Sequence, residues 1–270
     1  MNLNQALAIL TESSNARDAR VVLRAIRRDA NNDKLSFIDS LRVRWAARQL
    51  RRGVPVAKII RRRRFYGLEF ETDRHTMDPR PDSETIVDAV LKLPVINQKS
   101  PITILDLGTG TGCLIAAIVA NMPNATGIGI DKSRPACHVA QRNIKRLGLA
   151  DKIKIEHGDF NHQSPVTSHK SPFDIIISNP PYIAIGDTRV DAGARWDPKI
   201  ALYAGPDGLD AYRAIAQTAR PLIKSNGQIF LEIGAGQSAL VRQIFTNAGW
   251  KFIESHRDLG GVERVLTFKP

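Results

Sequence analysis

Sulfur is scarce in this sequence: two cysteines, Cys113 and Cys137, and three methionines among 270 residues. The cysteines have no CxxC spacing and no histidines at ligand spacing, which argues against a disulfide framework and a thiolate metal site. Two reduced thiols and no metal are expected. Long apolar runs are also missing, and none approaches the roughly 18 residues that a membrane-crossing helix needs. The opening Met1 to Gln5 has neither a basic segment nor a long apolar core, so no signal peptide is expected. A soluble, cytoplasmic protein without membrane contact is the expectation. Neither an internal repeat nor a low-complexity tract is present. Acidic residues are few in the first part of the chain. Up to Arg64 there are sixteen Lys and Arg against five Asp and Glu, a balance of +11, and the remainder carries twenty-three against twenty-two. Almost all of the net charge of +12 therefore belongs to the N-terminal part. A basic module of this kind meets an acidic partner, either a protein or a nucleic acid.

What is present divides at about residue 64. Leu3, Leu7 and Leu10, then Val22, Leu23 and Ile26, fall at helical spacing and predict helices over 3–10 and 16–29. Ser14 or Asn15 can cap the second, and Ser36 with Asp39 marks the start of a third that runs to Leu50 before the Gly53 stop. A small, strongly basic helical bundle over 1–64 is expected. Arg61 to Arg64 read as a solvated run leading into a linker with short strands over 65–77. The main domain, 78–270, follows the proline-locked segment Met77 to Glu84, in which Ser83 reads as the cap of a helix through Leu91. From there strands and helices alternate. Strands are expected over 102–107, 125–130, 152–156, 173–178, 228–233, 251–255 and 264–268, with helices between them, 210–223 and 237–248 included. That alternation predicts an α/β, doubly wound, mostly parallel seven-stranded sheet of Rossmann-like type, closed by an antiparallel edge from the last two strands. Residues 161–172, with His162 and His169, read as a polar loop, and 183–207 as a long loop that shapes a pocket.

Two turns carry the chemistry. After the first strand of the main domain, Gly108-Thr109-Gly110-Thr111-Gly112 allows the backbone to approach a ligand closely. Asp131, at the end of the next strand, can accept both ribose hydroxyls of an adenosine group. Asp159 and Phe160 are placed to meet an adenine by hydrogen bond and stacking. The second turn is Asn179-Pro180-Pro181-Tyr182. It ends the apolar run Phe173 to Ser178, and its prolines forbid further sheet pairing because they lack an N–H. A planar NH2 group is a poor nucleophile until both N–H bonds are held by acceptors and its lone pair is aimed. Asn179 Oδ1 and the Pro180 carbonyl can be those acceptors, with Tyr182 offering a face for stacking. The tetrapeptide resembles the signature of S-adenosylmethionine-dependent methyltransferases that act on planar nitrogens. The GxGxG spacing, read beside it, favours that cofactor over a dinucleotide.

Together with these turns, Phe65-Tyr66-Gly67-Leu68, Pro79-Arg80-Pro81-Asp82-Ser83-Glu84, Pro206-Asp207-Gly208-Leu209, Leu231-Glu232-Ile233-Gly234 and Glu263-Arg264-Val265 resemble one family over essentially the whole chain. It is the peptide-chain release factor glutamine methyltransferases, also called HemK-type. The resemblance implies methyl transfer from S-adenosylmethionine to the side-chain amide of the glutamine in the Gly-Gly-Gln motif of class 1, bacterial-type release factors. It also implies that the N-terminal domain helps to dock the factor, and a monomer is expected. Carried over by position, the cofactor contacts are Gly108, Thr109, Gly110, Thr111, Gly112, Asp131, Phe160 and Asn179. The substrate contacts are Asn179, Pro180, Pro181 and Tyr182, with Asn179, Pro180 and Tyr182 as the catalytic set. The family more often has Trp at the position of Phe160, and a glycine within a mixed-charge segment where this chain has Arg61 to Arg64. Two other readings fit part of the sequence: an adenine-N6 methyltransferase acting on DNA or RNA, and a non-catalytic protein that uses the fold to bind RNA or a ribosomal protein.

Overall fold

A computed structural model of the chain describes residues 1–27, 34–94, 100–160, 172–190 and 193–270. The first helices are α1 (Leu3–Thr11), α2 (Ala16–Ile26), α3 (Phe37–Arg51) and α4 (Val56–Ile60). The side chains of Asn2, Asn15 and Ser36 accept from the backbone N–H of Gln5, Asp18 and Asp39. Each thereby satisfies a donor that the first helical turn leaves free. Of the two possible caps for α2, Asn15 is the one used. Leu10, Ala19, Val22, Val43, Ala46, Leu50 and Ile59 make a small core of their own.

Arg61 ends α4 in the left-handed region, at φ 56°. The chain then forms a hairpin of β1 (Arg62–Phe65) and β2 (Leu68–Glu71), turned by Tyr66 and Gly67 at φ 48° and 76°. Two residues at positive φ give the turn whose twist matches that of the strands. Tyr66 is held in this conformation by Glu84, which accepts its N–H at 2.7 Å, and by Asp88, which accepts its hydroxyl proton at 2.9 Å. Arg62 to Arg64 are thus strand residues, and Arg61, Arg62 and Arg64 remain exposed as expected, with Arg63 half-buried. Arg62 pairs with Glu69 across the hairpin, and Arg63 Nε donates to the Pro79 carbonyl at 3.3 Å. The hairpin starts at Arg62, ahead of the linker expected from residue 65.

After α5 (Glu84–Leu91) come β3 (Ile102–Leu107), α6 (Cys113–Asn121), β4 (Ala125–Asp131), α7 (Arg134–Arg146), β5 (Ile153–His157) and β6 (Phe173–Ser178). The chain ends with α8 (Asp210–Thr218), β7 (Ile223–Glu232), α9 (Ser238–Asn247), β8 (Lys251–Arg257) and β9 (Glu263–Lys269). The loop expected over 161–172 lies outside the described residues but for residue 172, and so do residues 28 and 29 of the helix expected over 16–29. The sheet is seven-stranded, in the order β5-β4-β3-β6-β7-β9-β8. Only β9 is antiparallel to its neighbours. It enters between β7 and β8, so the expected antiparallel pair exists but leaves β8 alone at the edge. Pro221 cannot continue a helix, and the expected 210–223 segment becomes α8 and a short 3-10 turn. As a result β7 starts at Ile223, five residues before the expected strand.

Strand order runs outward from β3 in one direction and from β6 in the other. The point of reversal lies between these two parallel strands, and the crevice at their carboxyl ends is where open α/β sheets bind ligands. Both strands are almost wholly buried, packed by helices on either face. Among the described residues no helix is long and apolar enough to cross a membrane.

The helical segment and the sheet domain share a buried ionic junction. Lys58 Nζ of α4 lies 2.9 Å from Asp78 Oδ1 and 2.9 Å from Asp197 Oδ1, with all three side chains under a tenth exposed. It also donates to the carbonyls of Asp73 and Thr76. Arg80 Nη2 reaches the other oxygen of Asp197 at 2.7 Å. Removing one member of such a set leaves charge buried without a partner. Lys58→Met should therefore lower unfolding free energy by about 3–5 kcal/mol in urea denaturation. A loss below about 1 kcal/mol, the scale of an exposed pair, would mean that Arg80 and water neutralise both carboxylates.

Candidate functional site

The glycine turn follows β3 and is fastened to β4. The N–H groups of Gly108 and Thr109 both donate to the Ile130 carbonyl, at 2.8 and 2.9 Å. Gly108, Gly110 and Gly112 lie at φ 76°, 55° and 78°, a conformation that disfavours any residue with a Cβ. Asp131 closes the arrangement: Oδ2 accepts from the Gly110 N–H at 2.9 Å and Oδ1 from the Ser133 N–H at 2.8 Å. Burial pushes the pKa of Asp131 up, and these two N–H donors oppose that effect. Underneath, Thr109 Oγ1 donates to Asp106 Oδ2 at 2.6 Å. Asp106 is fully buried, its Oδ1 has no partner, and burial raises its pKa to about 7 against the Thr109 hydrogen bond.

A cavity of about 260 Å³ opens above this turn. Gly108, Thr109, Gly110, Thr111, Asp131, Phe160, Asn179 and Pro181 all line it. Phe160 is buried, with its ring edge 3.7 Å from where a Cβ on Gly108 would sit, so the ring covers the turn. Two sequence candidates lie elsewhere. Gly112 is behind the cavity, where an added Cβ would come within 3.4 Å of Ala140 on α7, and it serves the packing of α6. Asp159 is not part of the lining.

The Asn-Pro-Pro-Tyr turn forms the wall between this cavity and a second, open groove. Both prolines follow trans peptide bonds. Asn179 Nδ2 donates to Ser83 Oγ at 3.0 Å, while Asn179 Oδ1 is buried and accepts no hydrogen bond. Ser83 occupies the N-cap position of α5 expected from sequence, but its side chain makes no capping hydrogen bond. Its backbone is already helical, the 3-10 turn Pro81–Ser83 leads directly into α5, and its hydroxyl is turned to Asn179. Pro180 is buried in the wall and lines neither opening. Tyr182 faces the groove, of about 820 Å³, together with Arg80, Asp82 and Glu232. Its carbonyl accepts from Gln237 Nε2 at 2.9 Å, and burial raises its hydroxyl pKa to about 12.

Three polar residues of this region were not among the site residues expected from sequence: Ser83, Asp106 and Glu232. Each of the two acids interrupts an apolar strand run, Ile-Leu-Asp-Leu and Phe-Leu-Glu-Ile. That interruption was the available signal, because a carboxylate is seldom placed inside a sheet without a task.

Residues 98–229 match the family model of a methyltransferase domain. A crystal structure of a methyltransferase from Pyrococcus furiosus has the same fold, with a TM-score of 0.55 at 16% identity over 76% of this chain and 90% of that one. A glycine turn and an acidic strand end beside an Asn-Pro-Pro-Tyr wall, on this sheet, define a methyltransferase. The release factor glutamine methyltransferase of Cereibacter sphaeroides is 39% identical over 224 residues, 82% of this chain and 76% of that protein. That of Agrobacterium fabrum is 36% identical over 240 residues, 86% of this chain and 80% of its own length. The chain belongs to the release factor glutamine methyltransferase family.

The buried acid under the turn has a consequence for stability. Because the pKa of Asp106 is higher folded than unfolded, the native state holds more protons between about pH 4 and pH 7, and stability falls as pH rises through that window. A shift of this size corresponds to roughly 4 kcal/mol before relaxation of the site. Asp106→Asn should flatten the loss measured by denaturant unfolding between pH 5 and pH 8. A slope equal to that of the unaltered protein would mean that Asp106 is ionised throughout.

Proposed function

We propose that this protein transfers a methyl group from S-adenosylmethionine to the side-chain amide nitrogen of the glutamine in the Gly-Gly-Gln motif of class 1 release factors. The observation that carries this reading is the buried, unpartnered Asn179 Oδ1 at the border of the cavity. An acceptor left open in a dry position is costly unless a ligand N–H meets it. A glutamine side-chain amide supplies that donor, while Pro180, expected to supply the second acceptor, lies within the wall. Tyr182, expected to stack on the amide, faces the groove on the other side of the wall.

The chain's own groups fit the cofactor. Each oxygen of Asp131 accepts one backbone N–H and keeps a lone pair for a ribose hydroxyl. The turn from Gly108 to Thr111 offers backbone without side-chain bulk, and Phe160 gives the adenine a face. When bound, S-adenosylmethionine supplies a methyl group on a positively charged sulfur, a good leaving group. What the protein adds is alignment of the amide nitrogen, worth on the order of 7–11 kcal/mol.

The proposed division of labour is a docking bundle over 1–64, a linker over 65–77 and a methyltransferase domain over 78–270. The +11 balance of the first part suits an acidic surface on the release factor. An extruded adenine amino group would satisfy the same acceptor, and membership of the family favours the glutamine amide. The intact turn and the open acceptor speak against a non-catalytic binding protein.

Incubation with methyl-labelled S-adenosylmethionine and either a release factor or a nucleic acid, with the label located by mass spectrometry, tests the proposal. Label on the Gly-Gly-Gln glutamine is expected, and label on adenine alone would overturn the reading. Two variants separate the roles. Asn179→Ala should cut turnover by roughly 10²–10³ while leaving cofactor affinity within a few-fold, since it removes an acceptor for the reacting amide. Asp131→Ala should weaken cofactor binding by roughly 1.5–3 kcal/mol in calorimetry, the cost of a hydrogen bond to a charged group. Unchanged turnover in the first, or an unchanged dissociation constant in the second, would remove the role given to that residue.

A further inference from the structure

Glu232 is the last residue of β7 and has no part in the reading above. It is 1% exposed, lines the groove beside Tyr182, and its Oε2 has no partner. The hydroxyl of Ser83 and the side-chain amide of Asn179 stand near enough to its carboxylate to favour its charged form. Ser83 Oγ in turn accepts from Asn179 Nδ2 at 3.0 Å. Three side chains from three separate parts of the chain, the turn before α5, the end of β6 and the end of β7, two of them buried, therefore meet in one short polar chain.

The direction of its hydrogen bonds is set at the Glu232 end. An ionised carboxylate can only accept, so the Ser83 proton points toward it. Ser83 Oγ is then left as an acceptor, which draws the NH2 end of Asn179 and turns Oδ1 away. A protonated Glu232 would instead donate to Ser83. That would free the Ser83 proton to donate to Asn179 Oδ1, and the carboxamide would turn over and present NH2 where the substrate NH2 must sit. We propose that Glu232 is the positioning residue that, through Ser83, fixes which end of the Asn179 carboxamide faces the substrate. The proposal rests on the role of Asn179 as amide acceptor argued above.

The surroundings favour a change of state in the neutral range. Burial raises the Glu232 pKa to about 7, against the opposing effects of the Ser83 hydrogen bond and Arg264. Arg264, on β9, is engaged by Asp258 at 3.0 Å and Asp82 at 3.3 Å. Asp82 acts on Glu232 with the opposite sign to Arg264. Tyr182 and Tyr212 face the same carboxylate with hydroxyls that burial keeps protonated, and Tyr212 donates to the Glu232 backbone carbonyl at 2.9 Å. The half-buried Cys113 thiol, raised to about 12, stays neutral as well. Because the protonated form is the one that turns Asn179 over, activity should fall as pH drops below about 7.

The test follows the Asn179 side-chain NH2 signals in ¹H–¹⁵N spectra of the full chain, assigned by their loss in Asn179→Asp, from pH 5.5 to 8.5. An inflection near pH 7 is expected. It should vanish in both Glu232→Gln and Ser83→Ala, the second of which keeps the carboxylate. With a release factor as substrate at pH 8, Glu232→Gln should lower kcat by about tenfold or more while leaving KM and cofactor affinity within about twofold. Its rate should also lose the acid limb. A residue that served packing alone would lower thermal stability and leave both pH dependences in place. An inflection that persists in Glu232→Gln, or Ser83→Ala kinetics equal to those of the unaltered protein, would overturn the proposal. Should the unaltered protein fail to methylate the release factor, the spectra still decide the role of Glu232, and the failure falls on the proposed substrate.

Discussion

The parallel pairing of β3 with β6 is the constraint from which the site follows. Leu107 stands opposite Ser178, and the Ser178 hydroxyl donates to the Leu107 carbonyl at 2.7 Å, locking the two strand ends level. One residue further on, each chain leaves the sheet, one into the Gly108 turn and the other into Asn179. A shift of one register position would carry Asn179 over 3 Å along the sheet and reverse the faces of β6, burying what now faces the cavity. The apolar residues of β6 prevent that shift. Ile175, Ile176 and Ile177 are buried on both faces, and the polar Asp174 is held by the Thr103 N–H and hydroxyl and by Lys224.

Around this seam the protein accepts buried charge where a smaller core would not. Asp106 under the glycine turn and Glu232 behind Asn179 each have one carboxylate oxygen without a partner. Both stand where the orientation of a neighbouring polar group matters, Thr109 in one case and Ser83 in the other. Local stability is given up at the two positions that aim the site, a common pattern in binding clefts.

Much of this was legible in the sequence, for reasons that differ by element. The strands β3, β4 and β6 announce themselves as largely apolar, isoleucine-rich segments followed by glycine, aspartate and proline, and those endings also locate the cavity. The glycine turn, Asp131, Phe160 and Asn179 could be named because each is tied to a strand end. The starts of α2 and α3 follow from Asn15 and Ser36. What could not be read depends on contacts distant in sequence. Ser83 has the local pattern of a cap, and only Asn179, 96 positions away, gives its hydroxyl another partner. That Arg62 to Arg64 form a strand, with Arg62 beside Glu69 and Arg63 reaching the Pro79 carbonyl, depends on residues further along the chain. The division of Tyr182 from Asn179 by the wall is likewise invisible in a tetrapeptide. Adjacent residues there face different openings.

The junction at Lys58 bears on how the chain can be divided. A cut at the natural-looking boundary after the helices would take the ammonium away with the bundle. The sheet domain left behind would hold Asp78 and Asp197 side by side, with Arg80 their one remaining cation in the junction described. The methyltransferase part is in this sense electrically incomplete by itself. Its fold ends at one residue and its charge balance at another, so a dissected fragment would need a replacement cation, or two neutral residues in place of the acids, before its behaviour could be compared with that of the whole.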